Sequence, residues 1–247
     1  MICRVACMAT LAVVAGAAPA ATILIVNQDA ANEGFNDPTP VSPEGGNPGT
    51  TLGAQRLNLF RAAAGYWGAL LKSNVKIKVG AKFDPLMPCD NVDGGVLGQA
   101  GPNGFFSSAQ NFGVIKANTF YPVALVEAAS ATNQNNADVE ITATFNSDVD
   151  NHCLGGNSRF WYGIDSSPPN GSLVALFPTV LHELGHGLGF LSLVCVNVDP
   201  NTQLPASCGS RSFGSFAGNP PKPDIWAWFL ANGNAPGTLW KDMADDA

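Results

Sequence analysis

Residues 180–190 read V-L-H-E-L-G-H-G-L-G-F and contain a complete His-Glu-x-x-His pattern. On a helix, His182 and His186 stand at i and i+4, so both imidazoles leave the same face. Two nitrogens at that spacing suit Zn²⁺, which takes histidine in tetrahedral geometry. Glu183 directly follows the first of them, in position to take a proton from a water held at the metal. With only 3 histidines in 247 residues, chance is a poor source of this spacing. A catalytic zinc needs three protein ligands and an open position, and the motif supplies two. Gly185, Gly187 and Gly189 each cost a helix about 1 kcal/mol relative to Ala. Either close approach of the backbone to a strand or substrate, or loose helix packing, would account for them.

The elements that must position these groups can be read in outline. Residues 22–27 (T-I-L-I-V-N) form a β-branched run, the first strand. Residues 34–49 are rich in Pro, Gly and Asn and cannot be regular structure. Thr50 or Thr51 caps a long amphipathic helix running to about Lys72, with Leu52, Leu59, Phe60, Ala63, Trp67, Leu70 and Leu71 at helical spacing. Residues 75–79 alternate as a half-exposed strand, and residues 138–145 (D-V-E-I-T-A-T-F) alternate again. Residues 84–118 read mostly as turns. Asp90, Asn91 and Asp93 miss the spacing of an EF-hand and are turn formers. A short helix is expected over 121–130, the motif helix over 172–193, and a last helical turn over 223–230 with Pro at its start. These elements make one α+β domain.

Composition narrows the class. Hydrophobic content is 46% and charged content 13%, with 27 Gly and 18 Pro, the mixture of a loop-rich exported domain. Residues 1–20 read as a signal peptide: a positive start, an apolar run and an Ala18-Pro19-Ala20 cleavage site. The domain then covers 21–247 and is open to truncation at its C-terminal end, where residues 241–247 look like the start of another helix. No later segment is long and apolar enough to span a membrane. The formal net charge of −7 becomes one unit more negative once Arg4 leaves. Such a chain is not expected to bind nucleic acid or an anionic membrane by its overall charge. Cys89, Cys153, Cys195 and Cys208 remain, which allows two disulfides in three connectivities. Spacing favours Cys195 with Cys208, leaving Cys89 with Cys153. A second zinc site competes, but no C-x-x-C pair supports it.

Residues 180–190 resemble the metal helix of secreted bacterial zinc proteases of the zincin type. Residues 34–40, 45–53, 83–86, 96–102, 143–147 and 161–165 resemble segments of one group of these exported proteins, in which a protease-associated domain can be inserted or appended. The resemblance implies a zincin-like fold: a mixed twisted sheet, a scaffold helix and the metal-binding helix. It also implies zinc bound by His182 and His186, with Glu183 as general base. In metzincin-like relatives a glycine at the place of Gly189 turns the chain towards a third ligand at position 192, and here that residue is Ser192, a poor zinc ligand. Other relatives complete the site with an acid on a later element, in a segment matching 223–230, at a place that corresponds to Asp224 or to Ala227. Asp224 is the first candidate for the third ligand, Asp199 the second, and His152 a third; a ligand beyond Ala247 or a degenerate site is the remaining alternative.

The expected function is that of a secreted, periplasmic or cell-surface zinc endopeptidase, a monomer acting on protein or peptide substrates. A peptide would pair along the strand at 138–145 by β-addition. Tyr162 is a candidate oxyanion donor, with an aromatic core position as its plainer role. The alternative from another class is a catalytically inactive secreted binding or surface protein on the same scaffold.

Overall fold

The computed structural model describes residues 20–107, 116–136, 138–165, 168–193, 222–231 and 237–242. In chain order the elements are β1 (Ile23–Asn27), α1 (Leu52–Leu70), β2 (Ile77–Asp84), β3 (Cys89–Asp90), β4 (Gly94–Gly95), β5 (Gly98–Pro102), β6 (Phe105–Ser107) and β7 (Phe120–Pro122). They continue with α2 (Val123–Ser130), β8 (Ile141–Asn146), β9 (Arg159–Trp161), β10 (Leu173–Ala175) and α3 (Leu176–Leu188). A 3-10 turn at Trp226–Trp228 stands where a last helical turn is expected. The fold is α+β with a mixed sheet.

The main sheet has the order β1-β2-β8-β5. β1, β2 and β8 run parallel, and β5 returns antiparallel along β8. α1 supplies the crossover between β1 and β2, as a parallel pair requires. Thr51 caps α1 with its hydroxyl, which accepts the Ala54 N–H at 3.2 Å. Leu59, Phe60 and Ala63 of α1 join Val79, Ala81 and Phe83 of β2, Ile141 and Phe145 of β8, and Val180 and Leu184 of α3 in one buried cluster. Phe60 makes edge contacts at its centre, 4.9 Å from Phe35 and 4.8 Å from Phe145 between ring centroids.

Two strand expectations need correction. The strand expected over 75–79 starts later and runs on as β2, which lies between β1 and β8; its alternation survives, with Ile77 and Val79 buried and Lys78 half-buried. The strand expected over 138–145 begins at Ile141 and is interior, with β2 on one side and β5 on the other. It is therefore not the edge along which a peptide could pair. The edges are β1 and β5, and the one beside β8 is β5, Gly-Gln-Ala-Gly-Pro, inside the region expected to be mostly turns. Asn146 N–H bonds the Leu97 carbonyl at 3.0 Å and Asn103 N–H bonds the Glu140 carbonyl at 2.8 Å. Antiparallel alternation then turns Gly98, Ala100 and Pro102 outward. Pro102 lacks an N–H, which suits an edge.

α3 is shorter than the 172–193 expected, because residues 173–175 pair with β9 as β10. Pro178 falls in the first turn of α3, where a missing N–H costs no helical bond. The helix stops at Gly189, φ +122°, and the Phe190 N–H returns to the Gly185 carbonyl at 3.0 Å. Cys89 and Cys153 form a disulfide with Cα atoms 5.5 Å apart, the pairing that spacing leaves by elimination. Cys195 and Cys208, residues 1–19 and Asp199 lie outside the described residues. Among the described residues no helix is long and apolar enough to cross a membrane.

Candidate metal centre

α3 places the motif by burying one face. Val180, Leu184 and Gly187 face the core, His182 is exposed, and Glu183 and His186 are half-buried. Gly187 is needed for closeness. A Cβ there would stand 2.3 Å from Cγ2 of Ile141, a fully buried strand residue with no room to yield. The sequence left two explanations for the glycines, and at Gly187 close approach to a strand is the one found. Trp67 of α1 ties the other flank of α3, its indole N–H bonding the Leu181 carbonyl at 3.0 Å.

The two histidines converge. Their Nε2 atoms are 2.9 Å apart. Nδ1 of His186 is 2.7 Å from the Phe190 carbonyl oxygen. A carbonyl only accepts, so Nδ1 carries the hydrogen and a neutral His186 has its lone pair on Nε2. At ordinary bond lengths a tetrahedral zinc holds two imidazole nitrogens about 3.3 Å apart. The pair needs to open only slightly to fit such an ion. The turn at Gly189 thus has a chemical consequence, since it brings the Phe190 carbonyl back to orient a ligand.

Glu183 points to the edge strand. Its Oε2 accepts the outward N–H of Ala100 at 2.9 Å. The helix that carries the histidines is thereby joined to β5 through the carboxylate expected to act as base. Aromatic rings flank the site: Phe190 is 48% exposed, 5.9 Å from Trp67 and 4.9 Å from Trp226 between centroids. Ala100, Phe190 and Trp226 were not singled out by residue type. Phe190 closes the motif and residues 96–102 carry part of the resemblance, but only the tertiary contacts say what they do.

Asp224 is buried, and its carboxylate is occupied by three donors. Oδ2 accepts the Ser192 hydroxyl at 2.9 Å and the Leu193 N–H at 2.7 Å, while Oδ1 accepts the Ala227 N–H at 2.9 Å. Its segment is held beside β7 by Phe120 N–H to the Pro223 carbonyl, 2.8 Å, and Ile225 N–H to the Phe120 carbonyl, 2.9 Å. These bonds describe a cap on the Trp226–Trp228 turn and a clamp on the chain leaving α3. Among the described residues no three His, Cys, Asp or Glu side chains form a group able to hold a metal. The structure brings His182 and His186 together, holds the adjacent Glu183 on β5, and gives Asp224 other partners. His152 sits in a left-handed turn, φ +64°, with Nδ1 2.5 Å from the Ser158 carbonyl.

Tyr162 is not an oxyanion donor. It is 1% exposed, donates its hydroxyl to Asp150 Oδ2 at 2.5 Å and accepts the Arg56 Nε–H at 3.0 Å. Burial, reinforced by the Asp150 carboxylate, pushes its pKa well up and keeps the hydroxyl protonated. Comparison with protein-family models, with curated protein sequences and with solved structures gives no match for this chain.

Proposed function

We propose that this chain is an exported zinc-dependent endopeptidase with a zincin-like domain, in which His182 and His186 hold the metal and Glu183 is the general base. The observation that carries this reading is the 2.9 Å convergence of the two Nε2 atoms on a face that also presents Glu183. When bound, zinc polarises a carbonyl and brings the pKa of water towards neutrality. Glu183 keeps Oε2 on the Ala100 N–H, takes a proton on Oε1, and returns it to the leaving amine. The substrate is an extended peptide lying along β5. There the Gly98 N–H and the Gly98 and Ala100 carbonyls face away from β8 and can form a strand-to-strand ladder. Register along β5 then sets which peptide bond meets Glu183. The Cys89–Cys153 disulfide suits an oxidising compartment and so favours export.

Among the described residues no third His, Cys, Asp or Glu joins the two histidines in a group able to hold a metal. Of the acids considered from sequence, Asp199 lies outside the described residues and Asp224 is held by Ser192, Leu193 and Ala227. That observation favours the second reading, a secreted binding or surface protein on the same scaffold. One experiment separates them. Under the first reading the purified chain carries one zinc and cleaves casein until a chelator is added, and Glu183→Gln abolishes cleavage while zinc stays bound. Cleavage surviving in Glu183→Gln overturns the mechanism; absence of both metal and cleavage in the wild type favours the scaffold.

A further inference from the structure

A second cluster, remote in sequence from the histidines, has an unmet need of its own. Glu127 of α2 is 1% exposed and Glu140, just ahead of β8, is 0% exposed. One oxygen of each has a partner: Glu127 Oε1 accepts the Gln134 N–H at 2.8 Å, and Glu140 Oε2 accepts the Lys78 N–H at 2.5 Å. Glu127 Oε2, Glu140 Oε1 and the side-chain oxygen of Asn135 are buried and have no hydrogen-bond partner. Among the described residues only one other buried side-chain atom is in that state, so three of the four fall in this one turn.

The three groups are neighbours. The Asn135 N–H also reaches the Glu127 carboxylate, and Glu127 and Glu140 feel each other's charge. The Asn135 amide nitrogen donates to the Asp138 and Val139 carbonyls, both at 3.2 Å. Those two acceptors fix the amide's orientation, because a flipped amide would set oxygen against oxygen. Its Oδ1 is therefore an acceptor. With both carboxyls ionised the three oxygens are all acceptors and cannot satisfy one another, and an unpaired buried carboxylate oxygen is costly. The Lys78 charge acts on Glu127 through space, yet none of the three oxygens has a hydrogen-bond partner, so what they lack is a positive charge in direct contact. Two carboxylates and an amide oxygen form a hard all-oxygen set with a formal charge of −2. Such sets, completed by carbonyls and water, hold Ca²⁺, whose coordination is irregular and wide, better than Mg²⁺, which demands a near-ideal octahedron.

We propose that Glu127, Glu140 and Asn135 form a site for a structural calcium ion that closes the turn between α2 and β8. The ion would brace more than the turn. The Glu140 N–H and carbonyl bond the Lys78 carbonyl at 3.0 Å and the Asn103 N–H at 2.8 Å, so the site is fastened to β2 and to the end of the edge strand β5. Ile141, the next residue, is the one against which Gly187 of the metal helix packs. Calcium would then hold in place the strand beginnings on which the histidine face rests.

The test is calcium binding by the full mature chain, measured by equilibrium dialysis with radioactive calcium and by thermal unfolding in calcium-depleted buffer. The expected result is one calcium per chain and a melting temperature several degrees higher with millimolar CaCl₂, with a much smaller response to MgCl₂. Glu127→Gln and Glu140→Gln should each lose that shift. His182→Ala with His186→Ala should keep it while losing zinc, so failure here and failure of the peptidase reading are told apart. A wild-type chain that binds no calcium overturns the proposal without reference to any variant. Calcium binding that survives in a folded Glu127→Gln, Glu140→Gln double variant also overturns it, by placing the ion elsewhere.

Discussion

Two buried polar clusters in this molecule are built on opposite principles. Around Arg56 the charges balance. The guanidinium donates to Tyr162 at 3.0 Å, to the Gly34 carbonyl at 3.0 Å and to Asp150 at 2.7 Å, and it lies 4.4 Å from the Phe83 ring centroid. Asp150 uses its other oxygen for the Phe160 N–H at 3.0 Å. No member of this group is left without a partner. Around Glu127 and Glu140 acceptors crowd together and three oxygens are orphaned. The first cluster is complete as the chain folds. The second leaves acceptors open, which is the basis of the calcium proposal. Burial alone therefore says little about a charged group; the balance of donors and acceptors around it separates a structural device from a binding site.

The contrast can be broken at its strong end. Arg56→Met keeps much of the stem but strands Asp150 and Tyr162 in the core. It should cost about 3–5 kcal/mol in equilibrium denaturation with the disulfide intact. A loss below about 1 kcal/mol would mean that the ring contacts, not the charges, hold the N-terminal half of α1.

Asp224 belongs with the satisfied class, and the next prediction tests that assignment. Asp224→Ala leaves the Ser192 hydroxyl and the Leu193 and Ala227 N–H groups unpaired and should cost about 1–3 kcal/mol. Zinc affinity should be unchanged if the cap is its whole role. A folded variant whose zinc affinity drops by orders of magnitude would instead make Asp224 the third ligand.

The smallest effect sharpens the unsatisfied end. Burial, opposed by the Gln134 N–H and reinforced by Glu140, raises the Glu127 pKa above 4.5; the Asn135 N–H and Lys78 pull against it without reversing it. The folded chain then binds this proton more tightly than the unfolded chain does. Its stabilising contribution is present below pH 4.5 and is lost as pH rises through the folded value, with a slope of at most about 1.4 kcal/mol per pH unit. Calcium-free melting temperatures should show this decline, and both Glu127→Gln and added calcium should flatten it. A calcium-free chain whose stability rises across that window would contradict the charge arrangement described here.

Local signals carried some of this architecture well. Thr51 ahead of an apolar periodicity marked the start of α1, and the Cys spacing left Cys89 with Cys153. β5 was illegible because Gly-Gln-Ala-Gly-Pro has no strand propensity; Gly98 is small because Phe145 presses on it. A Cβ at Gly98 would stand 2.6 Å from the Phe145 ring. Without β5, the alternating run over 138–145 that becomes β8 looked like a strand free to pair with a peptide. The pairing of Glu127 with Glu140 was equally hidden, since the two acids lie in separate segments and nothing local joins them.

By itself the sequence determined that two imidazoles and a carboxylate share one helical face, because i, i+1 and i+4 spacing settles direction wherever a helix forms. It did not settle where that helix ends: the expected end at 193 gives way to Gly189, whose φ of +122° few other residues accept. Tertiary structure decided what those groups face. It set Ala100 on Glu183, and Ser192 and Leu193 on Asp224, whereas local turns set the Phe190 carbonyl on His186 and the Ala227 N–H on Asp224. The reason is physical: residue type specifies which bonds a side chain can make, and only the packing of distant segments specifies which partner arrives.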